Sequence, residues 1–220
     1  MSWRRLLATA LLALPAGAVR AAPALPAPPP ADAVILWNGR DIDGWTVFLQ
    51  DRAVDPKTVW SVTDGVLQFR GQPYGYLRTK RTFSNYKIHA EWRYPEGSPP
   101  TANSGLFIHV HGADNIWPNG IECQLRSTEA GLLIATNIDM PSAPMINKKK
   151  RAKPIGPMAE KPFGQWNSYD IFCRGDSVEV YVNGVLENHV EHITYSTGSI
   201  ALQMEGARIQ FRNVWLEPLQ

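Results

Sequence analysis

From Val59 to Leu216 the chain is broken by turn signals at short intervals, and most of the runs between them alternate residue by residue. Thr63-Asp64-Gly65 separates Val59–Val62 from Val66–Phe69. Arg174-Gly175-Asp176 separates Trp166–Cys173 from Ser177–Val182, and Asn183-Gly184 follows at once. Such residues supply the positive φ that tight hairpins need. The period is clear in Tyr86–Tyr94. Tyr86, Ile88, Ala90, Trp92 and Tyr94 fall on one side, and Lys87, His89, Glu91 and Arg93 on the other. Ser199–Met204 and Arg208–Leu216 close the series, with Glu205-Gly206-Ala207 between them. Helical periodicity is not found after the N-terminal segment. Many short strands with close turns predict an all-β sandwich of two antiparallel sheets.

The N-terminal segment is of another kind. Trp3-Arg4-Arg5 is basic, Leu6 to Val19 is apolar but broken by Pro15, and Val19-Arg20-Ala21 offers small residues around a cleavage point. Residues 1–21 read as a secretory signal peptide, which predicts a periplasmic or secreted protein. The apolar stretch is shorter than the ~20 residues that span a bilayer, so no membrane span is expected. Residues 22–32 are rich in Pro and Ala and predict an extended linker. Residues 33–220 then form a single domain, long enough for a substantial core. A net charge of +2 leaves no electrostatic footprint for nucleic acid.

Asn103 to Arg126 holds the densest set of chemically useful side chains. It reads as two strands, Gly105–Val110 and Ile121–Arg126, joined by a loop with Trp117-Pro118-Asn119-Gly120. Alternation places Glu122 and Gln124 on one face of the second strand, and Gly105, Phe107 and His109 on one face of the first. In the closing strands Ala201, Gln203 and Glu205 share a face opposite Ile200, Leu202 and Met204. His109 and His111 stand two apart, and with Glu122 they make a donor set suited to a divalent metal. Cys123 and Cys173 allow either a disulfide or two buried thiols. Asp139 to Pro162 reads as a long loop, and its basic run Lys148-Lys149-Lys150-Arg151 fits a solvated face or a lure for an anionic substrate.

Six segments in order resemble the 3-keto-disaccharide hydrolase family. They are LWNGRDIDGW (Leu36 to Trp45), NSGLFIHV (Asn103 to Val110), IWPNGIECQL (Ile116 to Leu125), EKPFGQWNSYDI (Glu160 to Ile171), VYVNGV (Val180 to Val185) and GSIALQMEGARIQFRNVWLEPL (Gly198 to Leu219). The chain departs from the family's pattern at Leu132–Asn137, where LLIATN replaces an aromatic and a Gly-Gly pair. The resemblance implies a concanavalin A-like jelly roll with a concave groove. It also implies action on glycosides oxidised at C3, and a functionally linked sugar 3-dehydrogenase that makes them.

A ketone at C3 acidifies the C2 proton, so the group on C1 can leave by elimination, and water then adds back. That route needs a base, an acid and a partner for the enolate oxygen. Glu122 and Glu205 are the expected catalytic carboxyls, with His109 as proton carrier or ligand. Gln124, Glu91, Arg93, Asn103 and Gln203 are expected to bind hydroxyls or the keto oxygen, and Trp117 to stack on a sugar ring. Two other readings stay open: a carbohydrate-binding module without turnover, and an ordinary glucanase on the same fold. The ExDxxE spacing of sandwich glucanases is absent from the chain.

Overall fold

A computed structural model describes residues 28–220. The expected signal peptide, residues 1–21, lies outside the described residues, as does the first half of the linker. Two eight-stranded antiparallel sheets make up the domain. Along the first run β14 (Val185–Val190), β13 (Ser177–Val182), β12 (Asn167–Arg174), β6 (Tyr86–Arg93), β16 (Ile209–Pro218), β4 (Val66–Phe69) and β3 (Trp60–Thr63), with β1 (Val34–Ile35) also on β16. Along the second run β10 (Met145–Ile146), β11 (Lys149–Ala152), β9 (Leu133–Thr136), β8 (Asn119–Gln124), β7 (Gly105–His111), β15 (Ser199–Met204), β5 (Gly75–Thr79) and β2 (Trp45–Leu49). The one helical element among the described residues is a 3-10 turn, Pro56–Thr58.

The predicted hairpins form where the turn residues called for them. Asp64 and Gly65 (φ 51° and 76°) join β3 to β4, and Asn183 and Gly184 (φ 50° and 82°) join β13 to β14. Two positive φ values in succession suit the right-handed twist of the paired strands.

The core lies between the sheets. Tyr86, Ile88, Ala90 and Trp92 of β6 meet Leu106 and Ile108 of β7, Ile121 and Cys123 of β8, and Ile200 and Leu202 of β15. Cys123 and Cys173 are both buried and both free. A second, smaller cluster of Phe48, Tyr76, Phe107, Val110 and Ala201 sits on the outer face of the second sheet. It is roofed by the loop after β7. Asp114 accepts hydrogen bonds from Tyr76 Oη (2.9 Å) and Arg78 Nη1 (3.1 Å), and Ile116 packs on the cluster.

Residues 145–152 depart from the sequence reading. The expected loop contains the hairpin β10–β11 at the edge of the second sheet. β10 is only two residues long, and β11 carries lysines and an arginine where a buried strand would carry apolar residues, so no apolar alternation marked them.

Candidate active site

One row of side chains crosses the outer face of the second sheet. The register places Arg151 beside Ile134, Ile134 beside Glu122, Glu122 beside Phe107, and Phe107 beside Ala201. Paired residues on neighbouring strands point the same way, so Glu122 stands in the middle of this face. The alternation read from Ile200 to Met204 is the one β15 has: Ile200, Leu202 and Met204 enter the core, while Ala201 lies in the outer cluster. Gln203 therefore rises beside Glu122. A side chain at Gly105 would strike both, since an added Cβ would lie 2.9 Å from Glu122 Oε1 and 3.0 Å from Gln203 Oε1. Glycine at 105 is what lets the two groups close over the strand.

Glu205 follows directly after β15 and bridges to Asn103. The two carboxyls differ in surroundings. Burial pushes Glu122 up to about 8, the charge on Glu205 adds to the rise, and Lys149 and Arg151 oppose it. Burial also raises Glu205, but side-chain donors of Asn103, Gln203 and Trp117, together with Lys149, pull it back. Two carboxyls that share a site cannot both ionise cheaply, and the better-solvated one ionises first. Burial thus holds the proton on Glu122 near neutral pH, and Glu205 is the one of the two that ionises first. Gln203 Oε1 is buried without a partner. It is an acceptor next to a protonated carboxyl.

Trp117 is 43% exposed at the rim, and Lys149 Nζ lies 4.6 Å from the centre of its ring. Alternation along β11 turns Lys149 and Arg151 to the face of Glu122, and Lys150 away from it. These two cations were legible in the sequence only as part of a basic run.

Several expected members stand elsewhere. His109 does not share the face of Gly105 and Phe107. β7 bulges there: the register shifts between Ile108 and His111 on one side and between Ser199 and Ala201 on the other, and His109 has φ 55°. An extra residue in a bulge reverses the facing of the residues beyond it. The imidazole is fully buried against Tyr86, with ring centres 5.9 Å apart, and burial lowers its pKa to about 4. It is a neutral core residue and not the proton carrier expected. His111 stays at the surface, its Nδ1 3.0 Å from the His109 carbonyl and its ring against Tyr195. The bulge thus separates His109, His111 and Glu122, and no group of three metal-binding side chains assembles among the described residues.

Glu91 and Arg93 lie on the outer face of the first sheet, with the core between them and Glu122. Arg212 Nε donates to Glu91 Oε2 at 2.6 Å, and Arg93 Nε donates to Gln210 Oε1 at 2.6 Å. Both pair with side chains of β16 and brace that sheet, so they are structural partners and not the sugar ligands expected. Gln124 shares the face of Glu122, but its Oε1 accepts from the backbone N–H of Leu125 (2.9 Å) and Arg126 (2.8 Å). Its carbonyl end thus caps β8.

The family profile described as a 3-keto-alpha-glucoside-1,2-lyase-like domain matches residues 32–217. The chain belongs to this family. A Bacteroides thetaiotaomicron protein named 3-keto-disaccharide hydrolase is similar to this chain. It is 25% identical over 184 residues, which cover 73% of this chain and 61% of that protein. The chain thus spans less than two thirds of that relative's length. Among solved structures, a Parabacteroides distasonis protein described as a candidate glycosyl hydrolase superposes with a TM-score of 0.63 at 21% identity, covering 86% of this chain and 94% of its own. A Bacillus licheniformis β-glucanase gives 0.57 at 13% identity, covering 87% of this chain and 100% of its own. The carbohydrate-binding module CBM66 of Bacillus subtilis gives 0.57 at 15% identity, covering 79% and 95%. At these identities the likeness is one of fold, and the fold carries both enzymes and binding modules.

Proposed function

We propose that the chain cleaves glycosides that carry a ketone at C3, by elimination followed by hydration. The observation that carries this is the gathering of two unequally buried carboxyls, Glu122 and Glu205, with Gln203 on one face of the second sheet. Glu205, the carboxylate, takes the proton from C2, and the electron pair moves into the C2–C3 bond as the carbonyl becomes an enolate. The enolate pair returns, C1–O breaks, and Glu122 gives its proton to the departing oxygen. Water then adds at C1 of the enone. Glu122 takes a proton from that water, and Glu205, its abstracted proton exchanged with solvent while the enone is bound, delivers a solvent-derived proton to C2. Both carboxyls end as they began. Asn103 and Gln203 orient Glu205 and line the sugar site, with Trp117 at the rim as a stacking surface.

The reading has consequences outside the site. A C3 ketone does not arise by hydrolysis, so a sugar 3-dehydrogenase must supply the substrate. Export through the N-terminal leader fits a task outside the cytoplasm, and residues 3–21 motivate that part of the proposal.

The test is a matched pair: a 3-keto-glucoside and the same glucoside unoxidised. Only the ketone should turn over, and the rate should fall as pH rises through about 8, where Glu122 loses its proton. Equal rates on the two substrates would reject the mechanism in favour of direct glycoside hydrolysis.

A further inference from the structure

The elimination proposed above needs a donor for the enolate oxygen, and a cationic donor does most for a full negative charge. Arg93, the one cation among the residues expected to meet it, lies on the other sheet, and Gln124, whose Oε1 caps β8, has only a neutral amide N–H to offer. Asn103 and the Trp117 indole serve Glu205. The face nevertheless carries two cations. Lys149 and Arg151 project from β11 on the side of Glu122, both are half-buried, and neither has a carboxylate within 4.0 Å among the described residues. A half-buried cation without a carboxylate partner, near a neutral carboxyl, is an unspent electrostatic resource.

Lys149 is the better placed of the two. Its ammonium lies 4.6 Å from the centre of the Trp117 ring, the surface on which a sugar would stack. Its charge is felt by both Glu122 and Glu205, whereas that of Arg151 is felt by Glu122. It thus joins the stacking platform to the face that carries both carboxyls. Its long stem lets the ammonium follow an oxygen whose charge appears only in the transition state.

We propose that Lys149 is a catalytic residue that donates to the C3 oxygen of the sugar and stabilises the enolate formed when Glu205 removes the C2 proton. The inference rests on the 3-keto reading. Lys149 stays protonated throughout: it gives a hydrogen bond and a charge, and no proton leaves it. When the carbonyl is restored the stabilisation fades, so the group acts on the transition state more than on bound substrate.

The test uses the full chain and four proteins: wild type, Lys149→Met, Lys149→Arg and Lys150→Met. Lys150 is on the opposite side of β11, so its variant removes an equal charge without touching the site. Two readouts are taken. One is kcat and KM on a 3-keto-glucoside. The other is exchange of the C2 hydrogen in deuterated water for a 1,5-anhydro-3-keto sugar, which can form the enolate but has nothing to eliminate. Lys149→Met should lose about 100-fold in both kcat and exchange with little change in KM, the size expected for loss of one oxyanion donor. Lys149→Arg should recover part of it, and Lys150→Met should match wild type. The falling limb of the pH profile should move upward in Lys149→Met, because a cation that opposes protonation of Glu122 has gone. If wild type exchanges and cleaves but Lys149→Met stays within about threefold of it, the role of Lys149 is overturned alone. If wild type does neither, the 3-keto reading fails and takes this one with it.

Discussion

Glu122→Gln should abolish cleavage of a 3-keto-glycoside, by three orders of magnitude or more in kcat, and at the same time raise the thermal midpoint. An amide has the shape of the acid but cannot hand a proton to the leaving oxygen, and general acid catalysis is worth roughly 10²–10⁴-fold. Loss of the proton store for the hydration step adds to this. The gain in stability has its own cause. Glu122 ordinarily titrates at 4.5 and is raised to about 8. Between those values the unfolded chain has released this proton and the folded chain keeps it, so stability falls as pH rises from 4.5 to about 8. At pH 7 the cost is about 3 kcal/mol. Gln carries no such cost. The two proteins should unfold alike near pH 4 and diverge as pH rises, with roughly 2–4 °C in Tm for each kcal/mol. A variant that loses activity but also loses stability at pH 7 would show that Glu122 is a structural carboxylate, not a stored acid.

Gly105→Ala should also damage turnover, by about two orders of magnitude, while leaving the fold intact. The new methyl group would sit 2.9 Å from Glu122 Cγ and Oε1 and 3.0 Å from Gln203 Oε1. Those contacts are the ends of side chains, so they can swing away, and overpacking should cost only about 1–2 kcal/mol. What they cannot do is swing away and keep their geometry. Displacement by about 1 Å costs on the order of 10²-fold in rate. Measured together, kcat/KM should drop by that factor while Tm moves by a few degrees. Retention of full activity would mean that Glu122 and Gln203 do not act from the positions they hold above this glycine.

The fold was largely legible because its determinants are local. Asp64-Gly65 and Asn183-Gly184 name their turns, and Tyr86–Tyr94 and Ile200–Met204 name their buried faces by alternation alone. The pair Glu122 and Glu205 was legible for the same reason, since each follows the polar phase of a well-marked strand. His109 was not. Its facing depends on a bulge, and that bulge depends on a neighbour far along the chain: Gly198, where an added Cβ would lie 2.3 Å from the His109 backbone. No local pattern announces such a contact. Glu91 and Arg93 have the right chemistry on the wrong sheet, because which strands share a sheet is set by tertiary pairing, not by the strand's own sequence. Lys149 was hidden in another way. It sits in an edge hairpin whose own sequence looks like loop, so the alternation that aims it at Glu122 becomes visible only once β11 is paired with β9.

The central claim is that the C2 hydrogen leaves before the glycosidic bond is made good by water. The most direct measurement is the isotopic content of the product at C2 when wild-type protein cleaves a 3-keto-glucoside in deuterated water. Elimination by Glu205 and Glu122 predicts deuterium at C2 of the released sugar, above the level reached by free 3-keto sugar incubated for the same time without protein. Cleavage with the original hydrogen retained at C2 would contradict the account.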